Sequence, residues 1–447
     1  MISRRRFVQS CLAAAIVGVP IEFARANGQR RIVIVGAGAA GIAAARLLKD
    51  AGVEIAIVEA RERIGGRAWT DTESIGVAWD RGGSWLHSSD INPLVSIARK
   101  LGIAVTADEA PFALFRDGKR VEAAVIEALK ALLGRAYDEL AEAGERRLDI
   151  AAYDALSAET RTDPLFPLVA GEIEGFEGVE LEHYSVLDSH HYIEEGPDFV
   201  IPSGYGALIN RLGQDLPVEL GVTVRRIDWS GAGVRLDTNR GRIESDAVIV
   251  TVPTSVLARN QIVFTPALPI ALEQAAHDLP LGLLDKVAML LEPGALPTAR
   301  NESVFLADAA PDVFGLHTRL WGSNAVLGYV SGAYAHALEL EGERAMIAAA
   351  VDQLAAIFGN DIRAAVRTAV ATRWAHEPWT YGSYSHCVPG RFGARARLTE
   401  PVGERVFFAG EHTEQSAYGT VHGAWMSGER AAQGVLHALR AARRLEA

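Results

Sequence analysis

Cysteine is scarce in this chain. The 447 residues hold two, Cys11 and Cys387. Cys11 falls in an N-terminal stretch read below as removable, which leaves one thiol and excludes an internal disulfide in any compartment. No Cys/His spacing suits zinc. The neighbours His190 and His191 point in different directions on a helix or a strand, so they read as surface or pocket lining, and no metal is expected. Long apolar runs are missing too. None could cross a bilayer as a helix of the mature protein, so no membrane anchor is expected. Positive charge is in deficit, with 44 Lys and Arg against 56 Asp and Glu and a formal net charge of −12.

The basic residues that open the chain carry a signal of their own. Ser3-Arg4-Arg5-Arg6-Phe7-Val8 precedes an apolar stretch over 11–19 and then Ala24-Arg25-Ala26. This order reads as a twin-arginine export signal cleaved after Ala26, which predicts a periplasmic protein folded before export. Removing 1–26 takes away Arg4, Arg5, Arg6, Arg25 and Glu22, a net +3, so −12 becomes −15. An acidic body disfavours nucleic acid and anionic membrane and favours cationic small molecules. The length predicts two domains.

The rest of the chain is organised around residues 31–67. Ile32-Val33-Ile34-Val35 reads as a buried parallel strand. In Gly36-Ala37-Gly38-Ala39-Ala40-Gly41, Gly36 permits the tight turn, Gly38 lets backbone approach a pyrophosphate, and Gly41 lets a helix pack on the strand. A helical pattern runs to 48 and a second apolar run spans 53–58. Glu59 then stands 18 residues after Gly41, where a carboxylate accepts hydrogen bonds from ribose hydroxyls. The helix N-terminus offers N–H groups and a positive dipole end to phosphates. Strand, glycines, helix, strand and acid in this order predict a dinucleotide site, without deciding between NAD and FAD.

Later motifs bear on that choice. They are Ala60-Arg61-Glu62-Arg63-Ile64-Gly65-Gly66-Arg67; Asp80-Arg81-Gly82-Gly83-Ser84-Trp85-Leu86-His87 with Asn92-Pro93-Leu94; Lys286 in the apolar run 283–291; Trp379 ahead of Gly382-Ser383-Tyr384-Ser385; Phe408-Ala409-Gly410-Glu411-His412; and Tyr418-Gly419-Thr420-Val421. Together they resemble the flavin-containing amine oxidases, nearer the polyamine oxidases than the monoamine oxidases. The resemblance runs from 31 to about 430 and is interrupted mainly at 108–200 and 300–370.

It implies that Gly36, Gly38, Ala40, Gly41, Glu59, Ala60, Arg61, Gly65, Gly66 and Arg67 serve the nucleotide and diphosphate of FAD, with Val224 near the adenine. Gly82, Gly83, Ser84, Trp85 and Trp379 would meet the flavin, and Gly410 and Glu411 the ribityl chain. Thr420 and Val421 would open the final helix towards the flavin, its N–H groups favouring negative charge there. Lys286 matches a lysine that holds a water against flavin N5; the other reading is an exposed strand-edge lysine. Tyr384 and Tyr418 would bracket the amine. His87 falls where several members place a substrate-facing histidine, and a structural histidine is the other reading. Ser383 occupies the position of the flavin-bound cysteine of monoamine oxidases. Serine cannot form that thioether, so non-covalent FAD is expected. Ser88 stands where glycine is usual, and Thr420 where monoamine oxidases carry an aromatic, so substrate preference is left open.

The expected fold is α/β. A discontinuous Rossmann-type FAD-binding domain over 27–107, 202–280 and 386–447 joins an α+β substrate-binding domain over 108–201 and 281–385, of the amine oxidase/glutathione-reductase type. The pattern over 121–148 predicts an amphipathic helix. The acids Glu172, Glu174, Glu177, Glu180, Glu182, Glu194, Glu195 and Asp198 read first as a solvated face, and second as a source of one or two ligands for a distal ammonium. The implied activity is oxidation of a primary or secondary amine, polyamine-type favoured, by hydride transfer to the flavin. Imine hydrolysis follows, and O2 reoxidises the cofactor with release of H2O2. The implied partners are a cationic amine and O2, and a homodimer is left open. Three alternatives stand: an L-amino-acid oxidase, which needs a pocket arginine; an amine dehydrogenase with a protein electron acceptor; and a non-catalytic FAD-binding protein.

Overall fold

The apolar run after Arg30 forms the central strand of a parallel sheet. Arg31–Val35 pairs with Glu54–Val58 on one side and Ala247–Val250 on the other. Val218–Glu219 and Val406–Phe408 complete the five strands at the two edges. Side chains alternate across a strand. Ile32 and Ile34 therefore enter one core and Val33 and Val35 another, which is why this strand is apolar at every position. These elements belong to a computed structural model that describes residues 30–307 and 315–446; the export signal expected over 1–26 lies outside the described residues.

The helix Ala39–Asp50 and the closing helix Val421–Glu446 share the first core, Ala40 and Ala44 meeting Trp425, Ala432 and Val435. The closing helix runs to Glu446. Its Gly428 lies so close to the first helix that a Cβ there would stand 2.1 Å from the Ala40 carbonyl oxygen. The two ends of the chain are thereby joined over the glycine turn.

A second sheet has seven strands. Its order is Val366–Ala371, Leu284–Leu291, Ala325–Ser331, Gly315–Thr318, Glu302–Leu306, Phe112–Arg116 and Lys119–Arg120. Helices Gly332–Glu341 and Glu343–Phe358 share its core through Ala335, Leu338, Met346 and Leu354. The amphipathic pattern over 121–148 becomes the helix Ala123–Glu145, packed with Phe166–Glu177 around Leu132, Leu140, Val169 and Ile173. A four-stranded sheet that includes Val224–Asp228 rises from the parallel sheet. The class is α/β, as the order of motifs predicts.

Candidate active site

A cavity of about 1060 Å³ is lined by residues of both main sheets and of the helices 123–145 and 166–177. All the candidates for cofactor contact and for catalysis named from the sequence line it except Gly41. Gly41 lies underneath, where a Cβ would stand 1.9 Å from the Gly36 carbonyl oxygen. Its role is close packing of helix on turn.

At the nucleotide end, Gly36 has φ +107, a conformation open to glycine. The helix Ala39–Asp50 has no side-chain cap and no acid in its first turn, so its N–H groups and dipole are left for an anion. Gly65 donates its N–H to the Ala37 carbonyl at 2.8 Å, and this seats the second glycine pair against the first turn. The buried Glu59 accepts from the N–H of Ala37 at 2.8 Å and of Arg61 at 2.9 Å, which fixes its carboxylate at the cavity wall. Arg61 is incompletely paired: its buried Nε has no partner, and Glu377 and Glu59 approach its Nη atoms only to 3.3 and 3.8 Å. Burial lowers its pKa. An uncapped helix start beside a buried, part-paired guanidinium fits the diphosphate of a dinucleotide.

Next comes Lys286. It is 2 % exposed and sits on a strand with neighbours on both sides, so the strand-edge reading fails. An ammonium has three donors. Here they go to the carbonyls of Asp80 (2.9 Å) and Gly82 (2.6 Å) and to Ser84 Oγ (2.6 Å). The expected water-holding lysine is thus first a clamp on the 80–84 loop, with every proton committed. Burial lowers its pKa to about 8, partly offset by Asp80. The glycines of that loop also have a packing reason: a Cβ on Gly82 would stand 1.7 Å from the Arg67 carbonyl oxygen, and one on Gly83 would stand 2.6 Å from a Val421 methyl carbon.

Glu411 is buried. Its carboxylate takes Arg67 Nη1 at 3.0 Å, Ser385 Oγ at 2.6 Å and the Gly419 N–H at 3.0 Å. Although burial opposes ionisation, Arg67 heads the neighbours that hold its pKa down to about 2. Ser383 Oγ bridges the backbone of Leu284, donating to its carbonyl and accepting from its N–H, both at 2.9 Å. Thr420 is a helix cap: its hydroxyl accepts from the Gly423 N–H at 2.9 Å and donates to the Ala417 carbonyl at 2.6 Å. That hydroxyl is therefore spent on the helix start, and what this turn offers the cavity is its backbone N–H groups, the groups that the sequence reading turned towards the flavin.

At the far end the two tyrosines meet one element. Tyr384 donates its hydroxyl to the Gly175 carbonyl at 3.1 Å. Tyr418 donates to Glu177 at 2.9 Å. Both acceptors lie in the last turn of helix Phe166–Glu177. Six of the eight acids read as a solvated face line the cavity: Glu172, Glu174, Glu177, Glu180, Glu194 and Asp198. Glu182 and Glu195 are exposed and do not. Burial raises Glu174 and Glu177 to about 7. Among the described residues no cation pairs with Glu172, whose pKa is raised by burial alone.

His87 bonds Asp198 through Nδ1 at 2.7 Å and lies near Trp85 and Phe176, half-buried at the cavity wall. His190 and His191 are not part of the wall; His190 is exposed and His191 Nδ1 meets the Leu187 carbonyl. Three residues escaped the sequence reading. His317 and Tyr329 pack with Trp85, and burial keeps His317 neutral with a pKa near 4. Arg395 lies with its Cζ 4.0 Å from the centre of the Tyr418 ring. None belongs to a recognisable motif.

A flavin-containing amine oxidoreductase family model matches residues 39–436. Polyamine oxidase 2 of Arabidopsis thaliana is 31 % identical over 90 % of this chain and 87 % of its own. Lysine-specific histone demethylase 1 homolog 1 of Oryza sativa is 30 % identical over 98 % of this chain, which spans 56 % of that longer protein. Among solved structures, putrescine oxidase with bound putrescine superposes with a TM-score of 0.74 at 23 % identity, over 92 % of this chain and 99 % of that one, a likeness of fold. The cofactor read from the sequence, FAD, agrees with the family model, and the chain belongs to the flavin-containing amine oxidoreductase family.

Proposed function

We propose that the protein oxidises the carbon next to nitrogen in an amine that carries a second positive charge, a substrate of the polyamine type. The wall of acids carries this reading. Glu172, Glu174, Glu177, Glu180, Glu194 and Asp198 line one cavity, and among the described residues no cation pairs with Glu172. Like charges gathered on one wall repel one another, and a ligand cation relieves that repulsion. Of the cavity's arginines, Arg67 and Arg81 are paired with Glu411 and Asp71, and the part-paired Arg61 stands at the nucleotide end beside Glu59. Among the described residues that line the amine end of the cavity there is no arginine for a substrate carboxylate, which weighs against an L-amino-acid oxidase.

FAD bound along the glycine turn supplies a two-electron acceptor for hydride from the amine carbon, to be reoxidised by O2 with release of H2O2. The chain's own groups do the rest. The arm from Gly36 to Arg67 holds the nucleotide. Lys286 fixes the 80–84 loop. Tyr384 and Tyr418 form the walls that orient the amine and exclude water. In such a site the ammonium loses its proton more readily, which hydride donation requires.

The test is a panel of putrescine, spermidine, spermine, benzylamine and L-amino acids, with H2O2 measured after each. Peroxide from the di- and polyamines ahead of benzylamine is expected. Peroxide from L-amino acids alone would sink the reading. Flavin reduction by amines that only an added electron acceptor can reverse would replace the oxidase by a dehydrogenase.

A further inference from the structure

The last turn of helix Phe166–Glu177 holds both candidate walls of the amine slot. Tyr384 is tied to a backbone carbonyl, that of Gly175, which no pH change removes. Tyr418 is tied to a side chain. Glu177 is 6 % exposed and lines the cavity, and its carboxylate takes the Tyr418 hydroxyl at 2.9 and 3.2 Å.

The other face of Tyr418 is equally determined. Arg395, fully buried, lies 4.0 Å from the ring centre. It donates from Nε to Asp188 at 2.9 Å and from Nη1 to Ser385 Oγ at 2.7 Å. Ser385 Oγ in turn donates to Glu411 at 2.6 Å, and Glu411 holds Arg67. A chain of buried polar contacts thus runs from helix Phe166–Glu177, through Tyr418, to Glu411 and Arg67, two of the residues that the sequence assigns to the cofactor. Buried polar networks that are satisfied throughout fix one geometry.

We propose that Glu177 is a positioning residue for amine oxidation, acting through the Tyr418 hydroxyl to hold that wall of the slot against the cofactor cradle. The proposal rests on the amine-oxidase reading above. The groups that face Glu177 are Tyr418 and Arg395, Asp188 on its own short helix, and Tyr137, Tyr184, Tyr192 and Tyr384, whose titration senses the Glu177 charge. Arg395 is the only cation among them, and Asp188 already pairs with it. The Tyr418 hydroxyl is therefore Glu177's one direct hydrogen-bond donor among the described residues.

The experiment uses the FAD-loaded protein. Wild type, Glu177→Ala, Glu177→Gln, Tyr418→Phe and the Glu177→Ala/Tyr418→Phe double variant are mixed with spermidine without oxygen, and the rate of flavin bleaching is followed. FAD content is read from the visible spectrum before each run. Glu177→Ala and Tyr418→Phe each slow reduction by about ten- to a hundredfold, the worth of one hydrogen bond to a charged group. The double variant is no slower than the worse single one, because both remove the same bond. Glu177→Gln, whose amide oxygen still accepts, recovers most of the rate and flattens its pH dependence around neutrality. Additive losses, or Tyr418→Phe at the wild-type rate, would overturn the proposal. If Glu177→Ala fails to fold, Glu177→Gln and Tyr418→Phe still decide it. A wild type that carries FAD but is bleached by no amine would instead remove the underlying reading.

Discussion

Lys286 shows what burial does to a single group. Its ammonium sits among three oxygen acceptors and no nearby carboxylate bonds it directly, so its pKa falls from 10.5 to about 8. The unfolded chain then binds that proton more firmly than the folded one. Between pH 8 and 10.5 the unfolded state carries more protons, and stability rises with pH in that window. Denaturant midpoints for wild type and Lys286→Met, taken across it, should converge or separate in one direction only. Wild type gains on the variant by on the order of 2 kcal/mol as the pH climbs. Parallel pH profiles would mean that Lys286 is not buried as an ammonium. The sequence marked this lysine because a charge interrupts an apolar run. It gave no hint that all three protons are taken by the 80–84 loop, since the partners lie some 200 residues upstream.

At the scale of elements, the glycine turn and the closing helix form one unit. Residues 36–41 were legible because the order strand, glycines, helix, strand and acid follows from local geometry alone. The contact of Gly428 with Ala40 was not. It depends on two helices at opposite ends of the chain meeting at a separation that only the folded core sets. A Cβ at Gly428 would stand 2.1 Å from a backbone oxygen, which cannot swing away as a flexible side chain could. Gly428→Ala should destabilise by about 1–3 kcal/mol, the range for overpacking, and weaken FAD retention, because the helix Ala39–Asp50 shifts with its partner. Thermal melting and the flavin-to-protein absorbance ratio check both. A variant as stable and as yellow as wild type would show that the helices are free to part. The acids of helix Phe166–Glu177 kept two readings for a related reason: with apolar residues on most sides of the helix, the sequence does not separate the acids that face a cavity from those that face bulk water.

For the molecule as a whole, two sheets drawn from interleaved segments enclose one cavity, basic and glycine-rich at one end and acidic and aromatic at the other. The cofactor end was readable almost residue by residue, because its motifs are contiguous. The amine end was not, because Glu177, Arg395, His317 and Tyr329 come from separate elements that only the fold brings together. That polarity underlies the proposed function, in which one FAD lies along the basic arm and a cationic amine enters from the acidic side to reduce it. The most direct measurement is the visible spectrum of the purified, full-length protein during anaerobic addition of spermidine. The account predicts a flavin spectrum that bleaches in proportion to amine added and returns on admission of air. A colourless protein that takes up no added FAD, or a bound flavin that no amine of the panel can bleach, would contradict it.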